Sequence, residues 1–264
     1  MTTTEPQAEA TPPAMDEGLQ IRGLHVARAD REVLFGVDLD VPAGQVTALL
    51  GANGAGKSSL VLALGGLIPA TSGQVSVAGI RIDGARPERI RRLGVAVVPE
   101  GRRLLHTLSV RDNLDVATYG LPKDKAAEGV DRAVHLFPEL KDLWRQTASL
   151  LSGGQQQMVV LAQALAASPA VLVVDELSLG LAPVVVRRLV PVLSRVAQSG
   201  AAVLLIEQFA HVALAVSTTA HVLAGGRIIA GAPSEHWRHH PEELSAAYAL
   251  GSSARTTPTE RRTP

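Results

Sequence analysis

Cysteine is absent from the 264 residues. Disulfides, thiolate nucleophiles and Cys-ligated zinc or iron–sulfur centres are therefore excluded. Lysine is nearly absent as well: the four are Lys57, Lys123, Lys125 and Lys141, and the first lies inside a glycine-rich loop. Neither charge sign is in excess, with 25 basic against 25 acidic residues. That balance argues against an affinity built on neutralising many nucleic-acid phosphates. No apolar run reaches the roughly 18 residues of a membrane span. The longest candidate, residues 201–216, is interrupted by Glu207, Gln208 and His211. The N-terminal MTTTEPQAEATPPAMDE has neither the positive charge nor the apolar stretch of a secretory signal.

Apolar residues make up 46% of the chain, ample for a packed core. Residues 1–17 and 251–264, polar and containing proline, read as disordered tails around a folded unit at 18–250. Within it, Leu19–Val26 and Val37–Val41 alternate apolar and polar residues, as strands with one buried face do. Val46–Leu50, Gly94–Val98, Val171–Val174 and Ala201–Ile206 are apolar runs of buried strands, and helical patterns cover Lys57–Gly65, Val184–Ala197 and Ala210–Val216. Two hairpin-like pairs are expected, Val75–Val77 with Ile80–Ile82 and His221–Leu223 with Arg227–Ala230. Pro191 should kink or break its helix. Strands separated by helices predict a mostly parallel sheet covered on both faces. Strand signals stop over about 104–155, which reads as an inserted helical subdomain.

The chemistry starts at GANGAGKSS: Gly51, Ala52, Asn53, Gly54, Ala55, Gly56, Lys57, Ser58 and Ser59. This fits G-x-x-x-x-G-K-[ST] between a buried strand and a helix, the context that separates a phosphate loop from an ordinary glycine turn. Glycines let successive N–H groups turn inward around a polyphosphate, and the following helix adds its positive end. Lys57 reaches the β and γ phosphates, and the Ser58 hydroxyl suits Mg²⁺. VLVVDE (Val171–Glu176) ends a buried strand in two acids at the carboxyl edge of the sheet, where such folds bind ligands. Asp175 is placed to hold Mg²⁺ through water and Glu176 to orient or activate the attacking water. Together the two motifs predict a nucleotide hydrolase.

LSGGQQQ (Leu151–Gln157), about twenty residues before VLVVDE, narrows this reading. Ser152, Gly153, Gly154 and Gln155 present a hydroxyl and N–H groups at a helix start, a second anion site. In order and spacing the motifs resemble the signature of ABC-type ATPases. The resemblance runs from Leu19 to about Pro233 and implies an α/β P-loop NTPase fold. That fold has a mostly parallel core sheet, an N-terminal antiparallel β region and an inserted α-helical subdomain. ATP and Mg²⁺ are the implied ligands, in a head-to-tail dimer in which each signature closes over the other subunit's γ-phosphate. VPEGRRL (Val98–Leu104), DELSLGLAP (Asp175–Pro183) and LLIEQF (Leu204–Phe209) look like the smaller ATP-binding subunit of branched-chain amino acid importers. Sister systems for urea and short amides carry similar text.

The importer resemblance implies integral-membrane permease subunits, a second unlike ATPase subunit, an extracytoplasmic binding protein and a site on the cytoplasmic membrane face. Glu100 stands where most ABC ATPases have a glutamine near the metal, Gln208 where they have the switch histidine, and Ala182 where they have an aspartate. The importer branch shows the same three changes. Two departures go further: Leu177 replaces the proline after the Asp-Glu pair, which loosens that turn, and Arg28 replaces the aromatic that stacks on adenine. His236, His239 and His240 read as a solvated surface segment; Arg102, Arg103 and His106 read first as solvated charges, while the resemblance implies a loop that touches the helical subdomain and the membrane subunit. The mechanical ABC proteins of DNA repair do not fit, because only about 90 residues separate glycine loop and signature, without heptads. The translation-associated ones carry two cassettes per chain. An exporter subunit, or one serving another cargo, stays open.

Overall fold

Alternation at the start of the chain makes a sheet. In the computed structural model, which describes residues 18–253, β1 (Leu19–Arg28) pairs antiparallel with β2 (Arg31–Val41) on one side. On its other side it pairs with β4 (Ala70–Val77), which is followed by the short β5 (Ile80–Arg81). The second strand starts six residues earlier than its alternation indicated. Its turn is built from Ala29 and Asp30, both at positive φ (46° and 60°), without the glycine that normally announces such a hairpin.

The second sheet has six strands. In the order β10-β9-β3-β8-β7-β6 it contains β3 (Val46–Leu50), β6 (Val95–Val98), β7 (Val171–Asp175), β8 (Ala202–Glu207), β9 (Thr219–Ala224) and β10 (Arg227–Pro233). All neighbours are parallel except β10 on β9. Period-two alternation divides the core. Leu49, Val171, Val173, Leu204 and Ile206 face the antiparallel sheet and α1 (Lys57–Leu64), while Ala48, Leu50, Leu172, Val174, Val203 and Leu205 face the other helices. Each strand buried on both sides reads as an unbroken apolar run.

Between β6 and β7 lie α3 (Val110–Ala117), α4 (Lys123–Leu136) and α5 (Gly153–Ala166). Gly129 lets α4 meet α5 closely, since a Cβ there would sit 1.9 Å from the Ala166 carbonyl oxygen. Two helices are framed by prolines. The six-residue α2 (Pro87–Arg92) is too short to show periodicity, and α6 (Pro183–Gln198) runs through Pro191 without breaking. Of the expected kink or break, the break does not occur; Pro191 is exposed.

After α7 (Ala210–Leu214), the chain ends in α8 (Ser234–His239) and α9 (Pro241–Ser253). The histidine-rich segment is therefore not wholly solvated: Trp237 is buried and its indole N–H donates to the Ala220 carbonyl at 3.0 Å. Leu244 and Ala247 are buried against the same core. His236 reaches Glu243 at 2.8 Å on the exposed side. Helix α9 continues to Ser253, three residues into the segment read as a tail. The tail readings for 1–17 and 254–264 lie outside the described residues.

Candidate functional site

Strand register brings the motifs to one place. Leu50 pairs with Glu207 and Asp175 with Ile206, so β3, β8 and β7 end side by side. The glycine loop, Glu176 and Gln208 therefore leave adjacent strands at one carboxyl edge. Two backbone bonds tie them: Gly51 N–H to the Glu207 carbonyl at 3.3 Å, and Glu176 N–H to the Ile206 carbonyl at 2.9 Å.

Glycine is required at both ends of the loop. A Cβ on Gly51 would lie 2.7 Å from the Leu223 carbonyl oxygen. Gly56 has φ +114° and leaves no room beside the Leu34 side chain. Gly226 N–H donates to the Ala55 carbonyl at 2.9 Å, bracing the loop from the β9–β10 turn. Ala55 and Ser59 are buried and Ala52 is half-buried, whereas Asn53, Gly54 and Ser58 are exposed where a polyphosphate would lie.

Lys57 is buried. Its Nζ donates to the Gly51 carbonyl at 2.9 Å and the Ala52 carbonyl at 3.4 Å and pairs with Glu176 Oε1 at 3.2 Å. Asp175 is only 3% exposed, and its Oδ1 is buried without a hydrogen-bond partner. Burial, then the charge of Glu176, pushes its carboxyl up to about 7 against the pull of Lys57; Glu100 and Glu207 add to the rise. An orphaned carboxyl oxygen among other acids is an oxygen donor set fitting a hard divalent cation. Glu176 itself sits at φ +50°, a costly backbone for a residue with a side chain.

The remaining expected residues divide. Glu100 is exposed just past β6, with its charge felt at Asp175. Gln208 follows β8 half-buried, and Tyr248 from α9 donates to its carbonyl at 3.3 Å. Arg28 lies exposed at the end of β1, opposite Arg31. Ser152 caps α5: its hydroxyl accepts the Gln155 N–H at 3.3 Å, and its own N–H donates to Gln155 Oε1 at 2.8 Å. Gln155 is thus engaged in a capping box at the start of α5. Gly153 and Gly154 are tight spots, where a Cβ would come within 2.8 Å of the Arg102 guanidinium and 2.9 Å of Val185 respectively.

Arg102 is half-buried, donates to the Gly180 carbonyl at 3.3 Å and lies beside Gly153, so it links the start of α5 to the segment after Glu176. Glu207 and Ser178 lie within the quoted motifs but were given no role there. Glu207 is 1% exposed, and its carboxylate accepts the Ser178 N–H and hydroxyl, both at 2.9 Å. The signal was present: Glu207 is a charge in an otherwise apolar strand.

The family model for ABC transporters matches residues 34–178. The high-affinity branched-chain amino acid transport ATP-binding protein BraG of Pseudomonas aeruginosa is 39% identical over 198 residues, covering 75% of this chain and 85% of BraG. The lipopolysaccharide export system ATP-binding protein LptB of Escherichia coli K12 is 32% identical over 221 residues, covering 82% and 91%. A solved structure of an ATP-binding subunit of an ABC transporter superposes with a TM-score of 0.76 at 26% identity, over 89% of this chain and 99% of that one. The chain belongs to the ABC transporter family, as an ATP-hydrolysing subunit.

Proposed function

We propose that this chain powers an importer of branched-chain or related amino acids, seated on the cytoplasmic face of the membrane beneath integral-membrane permease subunits. An extracytoplasmic binding protein would deliver the cargo. The observation that carries the catalytic part is the set of buried Lys57 and Asp175 with half-buried Glu176 at the edge where the glycine loop begins. Lys57 takes the β and γ phosphates of ATP, and the loop N–H groups wrap the polyphosphate. Ser58, Asp175 and Glu100 would hold Mg²⁺, which when bound would neutralise phosphate charge. Glu176 accepts the proton of the attacking water, and Gln208 aligns the γ-phosphate. The 3.2 Å pairing with Lys57 holds the Glu176 carboxylate beside the loop that would take the phosphates. Arg28 stacks on the adenine by its guanidinium plane.

The identity with BraG supports the cargo, as do Glu100, Gln208 and Ala182, which match the importer branch. A membrane partner is supported by an apolar groove beside α1 and α3, where Leu67, Leu105 and Val116 are exposed. No helix among the described residues is long and apolar enough to cross a membrane. Because the three changed positions sense or share the γ-phosphate, the chain works in a heterodimer. Ser152, Gly153, Gly154 and Gln155 complete the partner's site, and the partner's signature completes this one. Similarity to LptB over most of the chain favours one second reading, an exporter subunit. Uptake of labelled leucine, isoleucine and valine by cells with and without the gene tests the proposal. Loss of uptake with the gene is expected, and unchanged uptake of all three overturns the cargo.

A further inference from the structure

Glu207 is a buried carboxylate in an otherwise apolar strand, and it takes two donors from one residue of a neighbouring segment. Ser178 supplies both its backbone N–H and its hydroxyl, each at 2.9 Å. Ser178 lies two residues beyond Glu176, whose own N–H is bonded to Ile206, the neighbour of Glu207. Residues 176 and 178 are thus both fastened to the end of β8. Between them Leu177 is fully buried, and the Leu179 N–H closes the turn onto the Glu176 carbonyl at 3.2 Å. This turn holds Glu176 at φ +50°. A side-chain-bearing residue persists in such a conformation only where its surroundings over-determine it.

Leu177 was expected to leave this turn loose, because it replaces a proline that would have stiffened it. The clamp accounts for a fixed turn without the proline. A carboxylate is suited to it because it accepts two hydrogen bonds at once and offers no competing donor. Burial pushes the Glu207 carboxyl up, and the Ser178 donors with the Gln208 backbone N–H oppose that shift.

We infer that Glu207 is a positioning residue for ATP hydrolysis: by gripping Ser178 it fixes the turn that aims the Glu176 carboxylate at the attacking water. The inference rests on the reading of Glu176 as the base. It concerns a residue that never touches nucleotide, so its mark is a loss of turnover at constant binding.

The test uses the full-length chain assembled with its membrane subunits, comparing Glu207→Gln, Ser178→Ala and the double variant, with Glu176→Gln alongside. Gln keeps the shape but turns an amide donor toward the Ser178 donors. Ser178→Ala removes one hydroxyl and keeps the test open should Glu207→Gln not fold. The expected kcat losses are about tenfold for Glu207→Gln and about threefold for Ser178→Ala, inside the ~10²-fold that a 1 Å misplacement can cost. ATP affinity from direct titration should stay within about twofold. The double variant should be no slower than Glu207→Gln, since both remove one interaction. Parent-rate turnover by Glu207→Gln and Ser178→Ala, with Glu176→Gln inactive, overturns the clamp alone. Parent-rate turnover by Glu176→Gln overturns the reading beneath it and the clamp together. Multiplying losses in the double variant, or ATP affinity falling in step with kcat, would reduce Glu207 to a structural residue and also overturn the proposal.

Discussion

Replacing Asp175 by Asn should stabilise the nucleotide-free protein while disabling its metal site. The folded chain holds the Asp175 proton up to about 7, whereas an unfolded aspartate releases it near pH 3.9. Between those values the folded state binds more protons than the unfolded one. Stability therefore falls as pH rises, by about 1.4 kcal/mol per pH unit. The loss is complete once pH has passed the folded value. Across the whole window it approaches at most about 4 kcal/mol. From pH 5.5 to 8 the share is about 2 kcal/mol. Asn has no proton to lose and nearly the same shape, so the difference between variant and parent isolates this group from every other titration. Urea unfolding of both proteins at steps of pH measures it. Asp175→Asn should gain on the parent progressively toward pH 8, and saturating Mg-ATP should narrow that gain by stabilising the parent more than the variant. A difference that stays constant from pH 5.5 to 8 would refute the claim that Asp175 is buried against its own charge.

Lys57→Ala should weaken ATP binding by about 10- to 100-fold, the value of charge-assisted hydrogen bonds to a phosphate; titration calorimetry reads it directly, and unchanged affinity would displace Lys57 from the polyphosphate. Gly129→Ala should destabilise the packing of α4 on α5 by about 1–3 kcal/mol or more, because the new methyl lands on the Ala166 carbonyl. A thermal midpoint equal to the parent's would show that the two helices separate at little cost.

Much of the site was legible because its requirements are local. Gly51 and Gly56 are dictated by close backbone approach, and Lys57 follows them on the first turn of α1. Apolar runs such as Val171–Val174 announced buried parallel strands, and their register then delivered Asp175 and Glu176 to the glycine loop. What stayed hidden depends on contacts distant in sequence. The grip of Glu207 on Ser178 spans 29 residues and that of Arg102 on Gly180 spans 78, so no pattern within one element encodes either. The β1–β2 hairpin hid because Ala29 and Asp30, rather than glycine, take positive φ there. Helices α2 and α8 hid because six residues cover less than two turns.

The central claim is that Glu176 activates water for hydrolysis of ATP held by the glycine loop. Paired measurements on Glu176→Gln, of ATP binding and of steady-state phosphate release in the assembled transporter, test it most directly. The account predicts ATP affinity within about threefold of the parent and turnover reduced by about 10²-fold or more, the scale of losing a positioned base. Phosphate release at the parent rate would contradict it.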